Sequence, residues 1–135
     1  MSVQLRSADG SEISLAGRYW SFFLCLAKTC EWKPAGTKKP EKWGFFKRWD
    51  GNYESSDGQQ VTDSDAREFS DALNRCYYSK HCFDIMAAVA EEIESQIEAE
   101  FGQEIPAHLR INTSSLRDAL GALMAMSHKG GFRIF

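Results

Sequence analysis

The segment from Gly17 to Thr29, GRYWSFFLCLAKT, is apolar on nearly every face of the helix that its residues would form. A helix without a polar face has to be covered on all sides, because any exposed face would leave apolar surface in water. We therefore expect this helix to be central and buried. At 135 residues and 43% hydrophobic content, the chain is long enough to build one core around it. We predict one domain, residues 1–135.

Both ends of the chain alternate between apolar and polar residues, as strands do. Residues 3–14, VQLRSADGSEIS, alternate around Asp9-Gly10, which is typical of a hairpin with a type I′ turn. The last four residues, FRIF, alternate in the same way. We expect them to form a strand that pairs with the N-terminal hairpin.

Three further helices are predicted after a connection, residues 31–61, that proline and glycine interrupt too often for helix. One covers residues 63–78 with Thr62 as its N-cap, and one covers residues 83–101 and ends at Gly102. A last helix stops before Gly130-Gly131, with its cap expected among Asn112, Thr113 and Ser114. The fold class is α+β, with about four helices and a small antiparallel sheet.

Composition excludes several classes of protein. No window approaches the roughly 18 to 20 consecutive apolar residues of a membrane helix, and the start, MSVQLRSADG, lacks the pattern of an export signal. We expect a cytoplasmic protein with no membrane partner. Four cysteines are then expected to be free thiols, buried and chemically inert. Their spacing is wider than in zinc knuckles, so no metal is predicted; they are Cys25, Cys30, Cys76 and Cys82.

No catalytic template fits the chain. It contains no Gly-x-Ser-x-Gly elbow, no phosphate-binding Gly-Lys-Ser/Thr and no His-Glu-x-x-His. DGNYESSDGQQV begins like a calcium loop but has Val61 where the bidentate glutamate belongs. We predict that the protein is not an enzyme and uses no cofactor.

Charge is divided unevenly, and residues 81–107 hold seven Asp or Glu and no Lys or Arg. Such a block is often only a solvated helix face. The functional alternative is a surface that docks a protein partner with a basic surface. We predict Glu91, Glu94 and Glu98 as one exposed acidic ridge, with Asp57 and Asp63 as contacts at its rim.

The basic loop, residues 33–49, carries the opposite charge, with six Lys or Arg and one Glu, a net of +5. Basic residues interleaved with rings are what proteins that bind single-stranded nucleic acid use. A pI of about 5.6 weighs against that function, and the rings could instead plug a small core. The alternative ligand-binding residues are Trp43, Phe45, Phe46, Lys47 and Arg48.

The chain also resembles a group of small bacterial proteins. Their pattern is Trp-x-Pro-x-Gly-Thr, then Trp, Tyr, Asp-Gly-Gln-x-Val-Thr/Ser-x-x-Asp-Ala and Ala-Leu, and finally Gly-Gly-Phe-x-Ile-Trp. The matching residues are Trp32, Pro34, Gly36, Thr37, Trp49, Tyr53, Asp57, Gly58, Gln59, Val61, Thr62, Asp65, Ala66, Ala72, Leu73, Gly130, Gly131, Phe132 and Ile134.

Two positions depart from that pattern, since Glu31 replaces a common glycine and Phe135 replaces the final tryptophan. The resemblance implies a shared fold and a role of the toxin-immunity kind, in which an inhibitor docks a partner. It implies no catalytic residues. The shared positions look like scaffold: Trp32 and Trp49 as ring anchors, Gly36 and Gly58 as turns, and Thr62 as a cap. Specific recognition is then expected at Trp43, Phe45 and Phe46, which lie outside the pattern.

Overall fold

The computed structural model describes residues 2–45 and 47–135, and it has the α+β fold that the sequence predicts. The described residues form four α-helices, two short 3₁₀ helices and one four-stranded antiparallel sheet. The strands are β1 (Ser2–Ser7), β2 (Glu12–Ala16), β3 (Gln59–Val61) and β4 (Phe132–Ile134). The helices are α1 (Gly17–Thr29), α2 (Asp63–Tyr77), α3 (Cys82–Phe101) and α4 (Arg117–Lys129), with the 3₁₀ helices Ala107–Leu109 and Thr113–Ser115 between α3 and α4.

The sheet has the order β2-β1-β4-β3, so the C-terminal strand lies inside it. β4 pairs with β1 through Leu5 opposite Ile134, which confirms the predicted pairing with the hairpin. It also pairs with β3, a strand that we did not predict. Only three residues long, β3 is too short to show alternation, and a bridge between Lys38 and Gln60 continues the sheet at that edge.

The hairpin is present, but its predicted type I′ turn is wrong. β1 ends at Ser7 and Arg6 pairs with Glu12, so the connection consists of residues 8–11 instead of two residues. A type I′ turn needs positive φ at both central residues, and here Gly10 has it (φ 89°) while Asp9 does not. The Asp9 carboxylate accepts a hydrogen bond from the Ser11 backbone N–H at 2.9 Å, which stabilises this longer turn.

Helix α1 is central and buried, as its composition predicts. Its side chains Trp20, Phe22, Phe23, Leu24 and Leu26 are at most 3% exposed. The Trp20 ring lies 5.9 Å from that of Phe69 on α2 and 6.2 Å from that of Phe132 on β4, between ring centroids. Helices and sheet therefore meet in one continuous core around α1.

The sequence predicted a capping residue at three helix ends, and two of these three predictions are confirmed. The Thr62 side chain accepts a hydrogen bond from the Asp65 N–H and caps α2, and Gly102 ends α3 with left-handed backbone (φ 68°). The expected caps of α4 are wrong. Residues 113–115 form a 3₁₀ helix, and α4 begins after Leu116 without a side-chain cap. The buried Leu116 side chain anchors that start instead.

The end of α1 gives Glu31 a backbone conformation that glycine adopts more readily. The Trp32 N–H bonds to the Ala27 carbonyl at 2.9 Å and the Glu31 N–H bonds to the Lys28 carbonyl at 3.1 Å. These two bonds define a Schellman motif, whose central residue takes left-handed backbone. Glu31 has φ 76° and is the one described non-glycine residue with positive φ.

No helix in the described ranges is both long enough and apolar enough to cross a membrane.

Candidate functional site

A buried carboxylate organises the connection between α1 and α2. Asp65, in the first turn of α2, is 1% exposed. Its Oδ1 accepts hydrogen bonds from the Trp32 indole N–H at 3.1 Å and the Ala35 backbone N–H at 3.3 Å. Its Oδ2 accepts one from the Tyr53 hydroxyl at 2.5 Å. We call these four residues, Trp32, Ala35, Tyr53 and Asp65, the Asp65 network.

The same network affects the protonation of the Tyr53 phenol. Burial, and then the hydrogen bond to Asp65, raise the pKa of the Tyr53 phenol well above its ordinary value. The phenol oxygen also accepts a hydrogen bond from the Gly36 N–H at 2.8 Å. Because both carboxylate oxygens and the phenol oxygen are engaged inside the protein, this cluster behaves as scaffold. The expected anchor role of Trp32 is confirmed by its 4% exposure and its hydrogen bond.

The acidic ridge is only partly free, which corrects the expectation of three exposed carboxylates. Glu94 and Glu98 both bind Arg110, with N–O distances of 2.8 and 3.1 Å, and their side chains are 14% and 32% exposed. Glu91 remains exposed. The physical reason is that the chain after α3 turns back along that helix and brings Arg110 against it.

Arg110 also binds a carboxylate that sequence reasoning missed. Its Nη2 lies 3.1 Å from Glu104, whose side chain is 83% exposed. These hydrogen bonds, led by the one to Glu94, raise the pKa of Arg110. One signal could have found this residue, because Arg110 is the lone Lys or Arg between Lys80 and Arg117. A single cation in a strongly acidic stretch is a candidate for internal pairing.

The carboxylates and Arg110 surround an open hollow of about 550 Å³ beside the end of α3. Backbone N–H groups also bind these carboxylates. Glu94 Oε1 accepts a hydrogen bond from the Ile111 N–H at 3.1 Å, and Glu98 accepts one from the Ile105 N–H at 3.3 Å. The carboxylates of Glu94 and Glu98 are thus held in place by contacts within the protein. The hollow is lined by Glu91, Glu94, Ser95, Glu98, Gly102, Gln103, Glu104 and Arg110.

The two predicted rim residues lie elsewhere. Asp63 accepts a hydrogen bond from the Gly131 N–H at 2.7 Å and joins the start of α2 to the start of β4. It lines a separate hollow with Asp9 and Lys129. Asp57 is exposed in the connection before β3. Neither residue lines the hollow beside α3, so the structure does not gather the five predicted residues into one site.

The basic loop is anchored at its base. The Trp49 indole N–H lies 3.1 Å from both the backbone oxygen and the hydroxyl oxygen of Thr37, which confirms its anchor role. The Trp43 ring packs edge-on against Trp49 at 4.9 Å. Phe45 is 88% exposed. The predicted ligand residue Phe46 lies outside the described residues.

The cations of this loop face solvent. Lys47 lies over the Trp43 ring, with Nζ 5.8 Å from the ring centroid. The acidic residue of the loop, Glu41, binds Arg133 of β4 at 2.9 Å and so neutralises none of the lysines. The exposed cations are Lys33, Lys38, Lys39, Lys42, Lys47 and Arg48.

Three of the four thiols converge where α2 ends and α3 begins. Cys76 and Cys82 are buried, and their sulfur atoms lie 3.8 Å apart. The half-buried Cys30, one residue after α1, lies nearby. Burial is the main cause that raises the pKa of the Cys76 and Cys30 thiols. Within residues 2–45 and 47–135, no group of three or more His, Cys, Asp or Glu has the geometry of a metal site.

Comparisons with known proteins add no relative. No family model matches the chain, and neither the curated proteins nor the solved structures contain a match to it.

Proposed function

We propose that the protein is a non-catalytic binding module that docks a basic partner protein through the hollow beside α3, in the manner of an immunity-type inhibitor. The observation that carries this proposal is the position of Arg110. It holds Glu94, Glu98 and Glu104 in one place, so their carboxylates need no ordering when a partner binds. Such preorganisation lowers the entropic cost of association.

Charge supports the same proposal. Residues 82–111 hold seven Asp or Glu and one Arg, a net of −6. A surface of one sign attracts a partner of the opposite sign and raises the association rate, and the effect decreases with salt. Glu91 and Glu104 are the exposed members and meet a partner first, while Glu94 and Glu98 shape the hollow behind them.

The test reverses the exposed charges and keeps the internal ones. Affinity capture from the native host identifies a partner, which is then purified and titrated against each variant. The variant Glu91→Lys/Glu104→Lys is expected to slow association at least about 10-fold at low salt. The matched control, Glu68→Lys/Asp118→Lys, has the same change in net charge on α2 and α4 and should bind as wild type does. Equal rates for the two variants would exclude this surface.

The basic loop favours a second candidate function, binding of single-stranded nucleic acid. The specific observation is an exposed ring, Phe45, among exposed lysines, the combination that stacks on bases and follows phosphates. The alternative that the rings only plug a core is wrong for Phe45, which is 88% exposed. The same alternative is partly correct for Trp49, which anchors the base of the loop through Thr37.

Fluorescence anisotropy with a labelled single-stranded oligonucleotide tests this second function. Affinity should fall steeply as salt rises. It should also fall in Lys39→Glu/Lys42→Glu, but not in the control Lys28→Glu/Lys80→Glu, which changes exposed lysines outside the loop. Absence of binding at low salt would remove this candidate and leave the protein-docking proposal untouched.

A further inference from the structure

The two edges of the sheet differ in how they are covered. At the β3 edge, the Lys38 N–H donates to the Gln60 carbonyl at 2.8 Å and the Gln60 N–H donates to the Lys38 carbonyl at 3.0 Å. At the opposite edge, β2 pairs with β1 alone among the described strands. Soluble proteins usually protect an open edge with proline, lysine or a bulge. The β2 sequence, EISLA, contains neither proline nor lysine, and its register with β1 is continuous.

The register of the sheet shows which backbone groups of β2 point outward. Gln4 exchanges two hydrogen bonds of 2.8 Å with Phe135, so its N–H and its carbonyl point away from β2. Ser14 lies opposite Gln4. Residues along an antiparallel pair alternate between those that exchange hydrogen bonds with the partner strand and those that do not. The backbone groups of Ser14 therefore point away from β1, and so do those of Glu12 and the N–H of Ala16.

We propose that β2 pairs with β2 of a second copy of this chain, antiparallel about a two-fold axis at Ser14, so that the two sheets become one sheet of eight strands. Ser14 exchanges two hydrogen bonds with its counterpart, and the Ala16 N–H of each copy donates to the Glu12 carbonyl of the other. The Ala16 carbonyl takes no part, because Ala16 is the N-cap of α1 and its carbonyl accepts the first bond of the helix. This register gives four backbone hydrogen bonds and pairs all five residues of β2.

The apolar side chains of β2 fit the same register. Ile13 and Leu15 lie opposite Leu5 and Val3, which are buried, so all four side chains are on the face of the sheet that packs on the core. Ile13 and Leu15 are only partly buried in a single copy. Across the two-fold axis, Ile13 of one copy lies opposite Leu15 of the other, close enough for their side chains to touch. Pairing therefore covers apolar surface that a single copy leaves in water.

Charge favours a second copy as the occupant of this edge. The charged residue of β2 is Glu12. Its carboxylate binds Arg6 of its own chain, with an N–O distance of 2.7 Å. Across the two-fold axis, Glu12 lies opposite the uncharged Ala16, so no like charges face each other in this register. The edge is thus complementary to itself in backbone groups, apolar side chains and charge.

Sedimentation velocity across a concentration series tests the dimer. Wild type should show a monomer–dimer equilibrium with a micromolar Kd, since one strand edge buries less area than a standard interface. Ser14→Pro removes the outward N–H at a position where an edge strand tolerates proline, and it should weaken dimerisation at least about 10-fold. The matched control Ser14→Ala retains the N–H and should dimerise as wild type does. A wild type that stays monomeric throughout the series would overturn the proposal, and so would a dimer that Ser14→Pro leaves intact.

A cross-link tests the position of the axis and does not depend on how the fold tolerates proline. In Ser14→Cys, the two copies of position 14 are about 5.5 Å apart between Cα atoms, within the range of a disulfide. Mild oxidation and digestion without reductant should give a peptide joined to its own copy at this position, as identified by mass spectrometry. The matched control Gln4→Cys is exposed on the same face but lies three strand spacings from its counterpart, about 14 Å, and should not cross-link to it. Equal yields from the two variants would overturn the proposal.

Discussion

The Asp65 network and the basic loop come from the same connection between α1 and α2, and both are rich in aromatic rings, yet the protein uses them in opposite ways. In the network, Trp32 and Tyr53 are at most 8% exposed, and their polar atoms bind a buried carboxylate. In the loop, Phe45 is 88% exposed and the lysines face water. The difference teaches that Trp32 and Tyr53 become scaffold because their polar atoms meet at one buried carboxylate, whereas the Phe45 ring carries no polar atom and lies on the surface.

The largest expected effect is the loss of Asp65. In Asp65→Ala, the buried Trp32 indole and Tyr53 hydroxyl lose their acceptor inside the core, and the part-buried Ala35 N–H loses its acceptor as well. An unsatisfied buried donor costs about 1 to 3 kcal/mol, so we expect the free energy of unfolding to fall by about 3 kcal/mol or more. Urea denaturation measures this change. A loss below about 1 kcal/mol would mean that the network is not scaffold.

A smaller and pH-dependent loss is expected for Tyr53→Phe. Removing the hydroxyl leaves Asp65 Oδ2 and the Gly36 N–H without their hydrogen-bond partner, at a cost of about 1 to 2 kcal/mol at neutral pH. The control Tyr78→Phe changes a tyrosine that is 75% exposed and should be neutral.

The pH dependence follows from the raised pKa of Tyr53. The folded protein retains the phenol proton at a pH where the unfolded chain, with an ordinary pKa of about 10, has released it. This stabilisation is fully present below about pH 10 and is lost as pH rises further. Wild type should therefore lose stability above about pH 10 more steeply than Tyr53→Phe. Parallel unfolding curves for the two proteins would contradict a buried, neutral Tyr53.

Glu31→Gly should stabilise the protein, since Glu31, which directly precedes Trp32 of the Asp65 network, has strained backbone. At φ 76°, a residue with a Cβ costs roughly 1 kcal/mol relative to glycine. We expect the free energy of unfolding to rise by about 1 kcal/mol. The control Glu31→Ala removes the charged side chain but retains the Cβ, so it should give no such gain. Equal gains in both variants would assign the effect to the carboxylate.

Sequence patterns predicted the elements whose signal lies in many neighbouring residues. The composition of α1, the spacing along α2 and α3, and the cap Thr62 were all read correctly, because each depends on local periodicity or capping. The short strand β3 and the start of α4 were missed, since tertiary contacts define them. In the sequence, Asp65 stood out only as one of the positions shared with the small bacterial proteins. Its three donors come from residues 12 to 33 positions away.

The candidate site was predicted less completely for the same reason. Helical spacing correctly placed Glu91, Glu94 and Glu98 along one side of α3. It could not show that Arg110 would bind two of them, because that contact depends on the path of the chain after Gly102. Net charge along the sequence is thus a poor measure of free charge on the surface.

The smallest effect on stability is expected for Phe45→Ala, and it is the sharpest test of the comparison. A ring that is 88% exposed contributes little buried area, so the free energy of unfolding should change by less than about 0.5 kcal/mol. Tyr53→Ala, the corresponding change in the network, should cost about 3 kcal/mol or more, since it also leaves a cavity. Both values come from urea titrations at neutral pH. If Phe45→Ala cost as much as Tyr53→Ala, the tip of the basic loop would be core, and its rings would not be available to a ligand.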